Sequence, residues 1–288
     1  MSSFLAPIFE HGFFDSASVH VAVTVGAAVA LVCGAVGVFA VIRGQSFAGE
    51  ALSDVGATGA SAAFLIGAGP LWGFLAAGVG AAAVMEMIGI QRPRGRDVAT
   101  GIVLGASLGL AALFLYLDTT YHSTTGATVT ILFGSLFAID PSTIPAIVAL
   151  SAVALILILL LQRPLLLSSL NPDMAAARGI PVRLVGALYL LALAMTVSLA
   201  ALTIGAILGT ALLIGPSATA LRVSKRPGIA MLLAAVIGVG ATWLGIVLAY
   251  DSFYWPPGRH GWPVSFFVVT LILVLYLLSP RPARRVTG

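Results

Sequence analysis

Long apolar runs separated by short polar clusters dominate this chain. Nine of them approach the roughly 20 residues a helix needs to cross a bilayer core: 17–42, 47–69, 71–90, 98–117, 143–161, 184–203, 204–223, 228–250 and 264–278. The last is short. The run 204–223 carries Gly215-Pro216 and reads as broken rather than as a straight rod. The apolar piece 129–139 is too short to span, so it is expected to be re-entrant or to lie at the surface. The pattern predicts an all-α fold: a polytopic membrane helix bundle of about 8–9 transmembrane helices. With no polar stretch long enough to fold in water alone, 1–288 reads as a single transmembrane domain.

Composition sharpens that reading. The chain is 60% hydrophobic and 8% charged, against about 25% charged in a soluble domain. Its basic residues lie in membrane-flanking loops, so the net charge of +4 is no sign of nucleic-acid binding. Cys33 is the single cysteine, inside an apolar run, and reads as inert packing. Residues 1–16 hold no Lys or Arg ahead of the first apolar run, so that run is not expected to be a cleaved signal peptide. Among 32 glycines, Gly101, Gly105 and Gly109 recur every four positions along one span, a spacing expected to let helices approach closely.

Charge also orients the bundle. Threading nine spans puts Arg43, Arg92, Arg94, Arg96, Arg163, Arg178, Arg183, Arg222, Lys225, Arg226, Arg281, Arg284 and Arg285 on one face, with Arg259 alone opposite. The expected C-terminus is therefore cytoplasmic and the N-terminus external. Glu10, Asp15, Asp118, Asp140 and Asp251 then give the outer face an acidic cast that favours approaching cations weakly.

Most isolated polar features have plain explanations. Tyr121-His122 and the stretch from Trp255 to Pro263 lie in the longest external loops, as interfacial anchors or as a docking surface for an external partner. His11, His20, His122 and His260 are scattered singly, without metal-ligand spacing. Gly105-Ala106-Ser107-Leu108-Gly109 matches the G-x-S-x-G pattern, but that motif needs a strand-to-helix elbow. Here it falls in a continuous apolar run, and no base is apparent for Ser107. Glu86, near a cytoplasmic helix end, can reach the interface or pair with Arg92.

Glu50 and Asp54 are harder to dismiss. A carboxylate in the bilayer costs roughly 2.5–3.5 kcal/mol on insertion scales, so such residues face protein and serve function. Four residues apart on a helix, both fall on one face about 6 Å apart. Two like charges at that spacing attract a cation. A proton-coupled secondary transporter of a cationic solute would use such a pair too, although no repeat of the two halves is evident.

The cytoplasmic loop 162–183 is unusually structured. Asn171 can cap a helix, Pro172 suits its first turn, Asp173 favours its positive end and Gly179 can end it. A short helix over about 172–178 is predicted, either a plain surface helix or a docking element for a cytosolic subunit. No phosphate-binding G-x-x-x-x-G-K-[ST] loop is present; the only lysine, Lys225, follows Ser224. Any ATP-driven step requires another polypeptide.

Three stretches together resemble a known family. They are Gly37-Val38-Phe39-Ala40-Val41-Ile42-Arg43 running into Glu50-Ala51-Leu52-Ser53-Asp54-Val55-Gly56-Ala57; Arg163-Pro164-Leu165-Leu166-Leu167 with Asn171-Pro172-Asp173-Met174-Ala175-Ala176-Ala177-Arg178-Gly179-Ile180-Pro181-Val182; and Gly205 through Ala220. In that order and separation they resemble the membrane-permease subunits of bacterial zinc/manganese/iron ABC importers. The resemblance implies a transport subunit rather than an enzyme, embedded in lipid in the bacterial cytoplasmic membrane. It also implies a second permease copy, as a homodimer or a similar pair, a cytosolic ATP-binding subunit and an extracytoplasmic metal-binding protein. The segment about 168–183 would couple to the ATPase through Asn171, Pro172, Asp173, Met174, Ala175, Ala176, Ala177, Arg178, Gly179 and Ile180.

The resemblance further implies that Glu50 and Asp54 are the metal residues. The family's pair is typically an Asp followed four residues later by a His, and this chain departs from it at both positions. Oxygen donors without imidazole favour Mn²⁺ among the family's cargoes, ahead of iron or zinc. The metal is cargo, and no permanently bound cofactor is expected.

Overall fold

Eleven helices and no strand make up the described residues of the computed structural model, which are 13, 16–88, 96–122, 126–134, 136–253 and 261–280, with the side chains of 88, 96–103, 122 and 126–128 excepted. In chain order they are α1 (Ala17–Ile42), α2 (Ser46–Leu65), α3 (Pro70–Ile88), α4 (Arg96–His122), α5 (Gly126–Phe133), α6 (Ile144–Leu170), α7 (Pro172–Ala177), α8 (Val182–Ile204), α9 (Ala206–Val223), α10 (Pro227–Ser252) and α11 (Val264–Leu278). The nine predicted runs correspond to all of these except α5 and α7.

Seven helices are both long and apolar enough to cross a membrane: α1, α3, α4, α6, α8, α9 and α10. The other two depart for opposite reasons. The 15-residue α11 is strongly apolar but short. The 20-residue α2 has the length but dilutes its hydropathy with Glu50, Asp54 and many small residues. Its surroundings compensate, because α3, α4, α8 and α9 pack around it and offer protein rather than lipid to its polar groups.

α1 is packed against α6, α8, α9 and α10 and buried along most of its second half. Small residues permit this. A Cβ added at Gly34 would meet the α10 backbone at Ala234 and Ala235, 2.5 to 2.7 Å away. Gly59 of α2 and Gly73 of α3 abut each other's carbonyl oxygens. Gly105 and Gly109 of the predicted stripe do not behave this way, and the surroundings of Gly101 lie outside the described residues. Nothing lies within 4 Å of a Cβ built at Gly105 or Gly109, because α4 packs mainly on α2 and turns these residues outward.

Several boundaries shift outward from the predicted ones. α4 continues beyond 117 to His122, so Asp118 is buried in a helix and does not belong to an external loop. In this extended end Thr119 and Thr120 donate their hydroxyls to the carbonyls of Leu115 and Tyr116, one turn back. α6 runs on through Arg163 and Pro164 to Leu170. The short apolar piece becomes α5, followed by two 3₁₀ turns at Leu136–Ala138 and Pro141–Thr143.

The expected break at Gly215-Pro216 is absent. α9 passes through Gly215-Pro216 without interruption, and the chain reverses one residue before the helix begins. Gly205 adopts φ 102° there, a conformation that side-chain-bearing residues avoid. Gly134, just after α5 and also at positive φ, presses against Thr203, Ile204 and Gly205. The end of α5 thus covers the α8–α9 reversal.

An acidic pair beside the helix reversal

The second helix places its carboxylates by spacing alone. Glu50 and Asp54 lie one turn apart on α2, with Asp54 buried and Glu50 half-buried. Among the described residues no arginine acts on Asp54: the charge that does is that of Glu50, and the two repel. Arg43, the nearest basic residue in sequence, directs its guanidinium to Gln45, Ser168 and Ser169.

Neighbouring side chains fix the helix in this position. Ser53 donates its hydroxyl to the Ala206 carbonyl at 3.0 Å, joining the stretch between the two acids to the start of α9. The Thr58 hydroxyl lies 3.0 Å from the Asp54 carbonyl and 2.7 Å from that of Ser107 on α4. A Cβ at Gly49 would touch Leu213 of α9 at 3.2 Å, so the absent side chain lets α9 close on this part of α2. Ser53 is eight residues into α2, roughly 10 Å from its start, so the α8–α9 reversal lies within the bundle at the level of the acids. Sequence reasoning passed over Ser53 and Thr58; the signal available was their polarity within a helix that also carries two acids.

The pair offers two carboxylates. No cluster of three or more His, Cys, Asp or Glu side chains suited to a metal occurs among the described residues. A cation held by this pair would find part of an oxygen-rich coordination shell in one chain, with other positions left to water or to a second chain. Hard, six-coordinate cations accept such a set.

Of the remaining candidates, Ser107 comes near it through the Thr58 hydroxyl. Ser107 lies in mid-α4, away from any strand-to-helix elbow, and its carbonyl is occupied by Thr58. Glu86 Oε2 is buried without a hydrogen-bond partner among the described residues, and its expected partner Arg92 lies outside them. His20 is exposed on α1, His11 and His260 are outside the described residues, and nothing is described of the His122 side chain. The stretch from Trp255 to His260 is likewise outside; Trp262 packs on Phe266 and Phe267 at ring distances of 5.4 and 6.1 Å.

At the face shared by the α1–α2, α6–α8 and α9–α10 connections, α7 has the predicted form. The Asn171 side chain accepts the Met174 N–H at 2.9 Å, Pro172 and Asp173 follow in the first turn, and the Ile180 N–H returns to the Ala175 carbonyl at 3.0 Å. Ala175 is buried against the body of the protein. Asn171, Pro172, Asp173, Met174, Ala176, Ala177, Arg178 and Gly179 are exposed, with Ile180 between these extremes.

Known proteins are similar to this chain in sequence and fold. The sequence model of the ABC 3 transport family matches residues 16–279. The manganese transport system membrane protein MntC of Halalkalibacterium halodurans is 31% identical over 262 residues, covering 90% of this chain and 87% of that protein. The chelated iron transport system membrane protein YfeD of Yersinia pestis is 27% identical, covering 96% and 88%. Among solved structures, PsaBC from Streptococcus pneumoniae in complex with Fab superposes with a TM-score of 0.80 at 28% identity, covering 96% of this chain and 95% of that one.

Proposed function

The chain belongs to the ABC 3 transport family, and from that premise we propose that it imports a divalent transition metal, manganese before iron or zinc. It is a multi-pass transport subunit of the cytoplasmic membrane, not an enzyme. An ABC permease works with an ATP-binding subunit and a substrate-binding partner, which excludes the proton-coupled alternative as the energy source. In this reading the substrate-binding partner is an extracytoplasmic metal-binding protein, and α7 meets the ATP-binding subunit.

The observation that carries the metal assignment is the acidic pair on an enclosed helix, with no neutralising arginine at Asp54 and no third ligand that would make a storage site among the described residues. A conduit must bind its ion weakly enough to release it. Two copies brought together would supply four carboxylate groups, enough oxygen for Mn²⁺ with water completing the shell. The relatives named for manganese and for chelated iron agree in class with this donor set.

The test is uptake of radioactive manganese by proteoliposomes that hold the permease with its ATP-binding and metal-binding partners. ATP-dependent accumulation is expected, with Glu50→Ala and Asp54→Ala each abolishing it while the complex still assembles. Normal uptake by both variants would end the assignment of these residues, and uptake that follows a proton gradient without ATP would end the proposal itself.

A further inference from the structure

Arg43 occupies a junction that the acidic pair does not explain. It ends α1, and three residues, 43–45, connect α1 to α2. Its Nε donates to Gln45 Oε1 at 3.3 Å, and one terminal nitrogen donates to Ser169 Oγ at 3.1 Å and lies 3.4 Å from Ser168 Oγ. The guanidinium carbon lies 5.4 Å from the centre of the Tyr189 ring on α8. One rigid cation thus touches the link into α2, the last turn of α6 and the body of α8.

Each contact leads somewhere functional. Gln45 is buried and stands directly before α2. Glu50 is five residues further on, roughly 7 Å along the axis. Ser168 and Ser169 precede Asn171, the single residue between α6 and α7. α8 leads to the Gly205 reversal, where Ala206 accepts from Ser53. Meanwhile α2 has no extended packing against α6 or α7 among the described residues. A short connection and a planar, multiply bonded guanidinium transmit displacement without slack, and charge-assisted hydrogen bonds are roughly twice as strong as neutral ones.

We propose that Arg43 is the positioning residue that carries movement of α7 and the end of α6 to α2, and so to Glu50 and Asp54. This deepens the importer reading above and rests on it. Arg43 touches neither the nucleotide nor the metal; it fixes how much transport each hydrolysed ATP yields.

The experiment uses the complete complex in proteoliposomes and measures manganese moved per ATP hydrolysed. In Arg43→Ala, ATP hydrolysis should persist while that ratio falls about tenfold, within the usual range of coupling energies. Arg43→Lys, which keeps the charge but loses the fork, should recover part of the ratio. Ser168→Ala with Ser169→Ala should lower it in the same direction. A purely structural role would reduce hydrolysis and transport together, leave the ratio unchanged and overturn the proposal. If Arg43→Ala fails to assemble, the double serine variant decides, and a wild-type ratio there overturns it. Failure of the wild-type complex to move manganese with ATP would instead sink the importer reading beneath it.

Discussion

Ser53 and Ala206 are joined by a 3.0 Å hydrogen bond across 153 positions of chain, and that bond brings the α8–α9 reversal to the depth of the acidic pair. The donor lies between Glu50 and Asp54, so the carboxylates cannot shift along α2 without straining it. Ser53→Ala should destabilise the protein only slightly, by about 0.6 kcal/mol, the average found for side-chain hydrogen bonds within membranes. Ser53→Leu should be far worse, because the site is fully enclosed. Thermal unfolding of the detergent-solubilised protein would order the two, and a wild-type stability in Ser53→Ala would show that the bond fixes nothing.

The glycines separate by what they touch. Gly59 and Gly73 meet backbone to backbone, and a Cβ on either would overlap its neighbour's carbonyl. Gly59→Ala and Gly73→Ala should each cost about 1–3 kcal/mol through overpacking. Gly105→Ala and Gly109→Ala face open space and should change monomer stability by no more than about 0.5 kcal/mol. The comparison is made by unfolding all four variants in one detergent. A large loss at Gly105 or Gly109 would place a contact on α4 that the single chain does not make.

The bundle was legible because hydropathy and helix length are both local properties, and every predicted span has its helix. What escaped was set by partners distant in sequence. The four-residue glycine spacing is the same in α4 as in a tightly packed helix, and only the identity of the neighbours turns Gly105 outward. Gly215-Pro216 looked like the break, yet α9 continues through it and the reversal falls on Gly205, where the end of α5 presses from outside. Asp118 looked like a loop residue, yet α4 continues past it to His122 and it is buried. For the site, the spacing of Glu50 and Asp54 announced their shared face. Ser53, Thr58 and Arg43 gained meaning only from acceptors on other helices.

The short helix α7 depends on its first residue. Asn171 satisfies the Met174 N–H, and six residues of helix have little else to hold them in form. Asn171→Ala should cost about 1 kcal/mol of local stability, whereas Asn171→Asp should preserve the cap. Hydrogen exchange at Met174 should rise in the alanine variant and stay near wild type in the aspartate one. If α7 meets the ATP-binding subunit, the alanine variant should also weaken pull-down of that partner, and unchanged exchange would show that the cap is dispensable.

Metal choice should follow the donor atoms of the acidic pair. Asp54 presents oxygen from a buried position, and imidazole there would add the nitrogen ligand that suits zinc. Asp54→His should therefore shift competition toward zinc, lowering manganese uptake when both ions are offered to the reconstituted complex. Glu50→Asp retains the oxygen donor and should keep the preference for manganese while changing its rate, because the shorter side chain alters reach without altering donor type. Uptake of both ions, measured together from one mixture, separates selectivity from general loss of transport. An unchanged manganese-to-zinc ratio in Asp54→His would mean that the cargo is chosen elsewhere along its route, and that Asp54 lines the path without reading the ion.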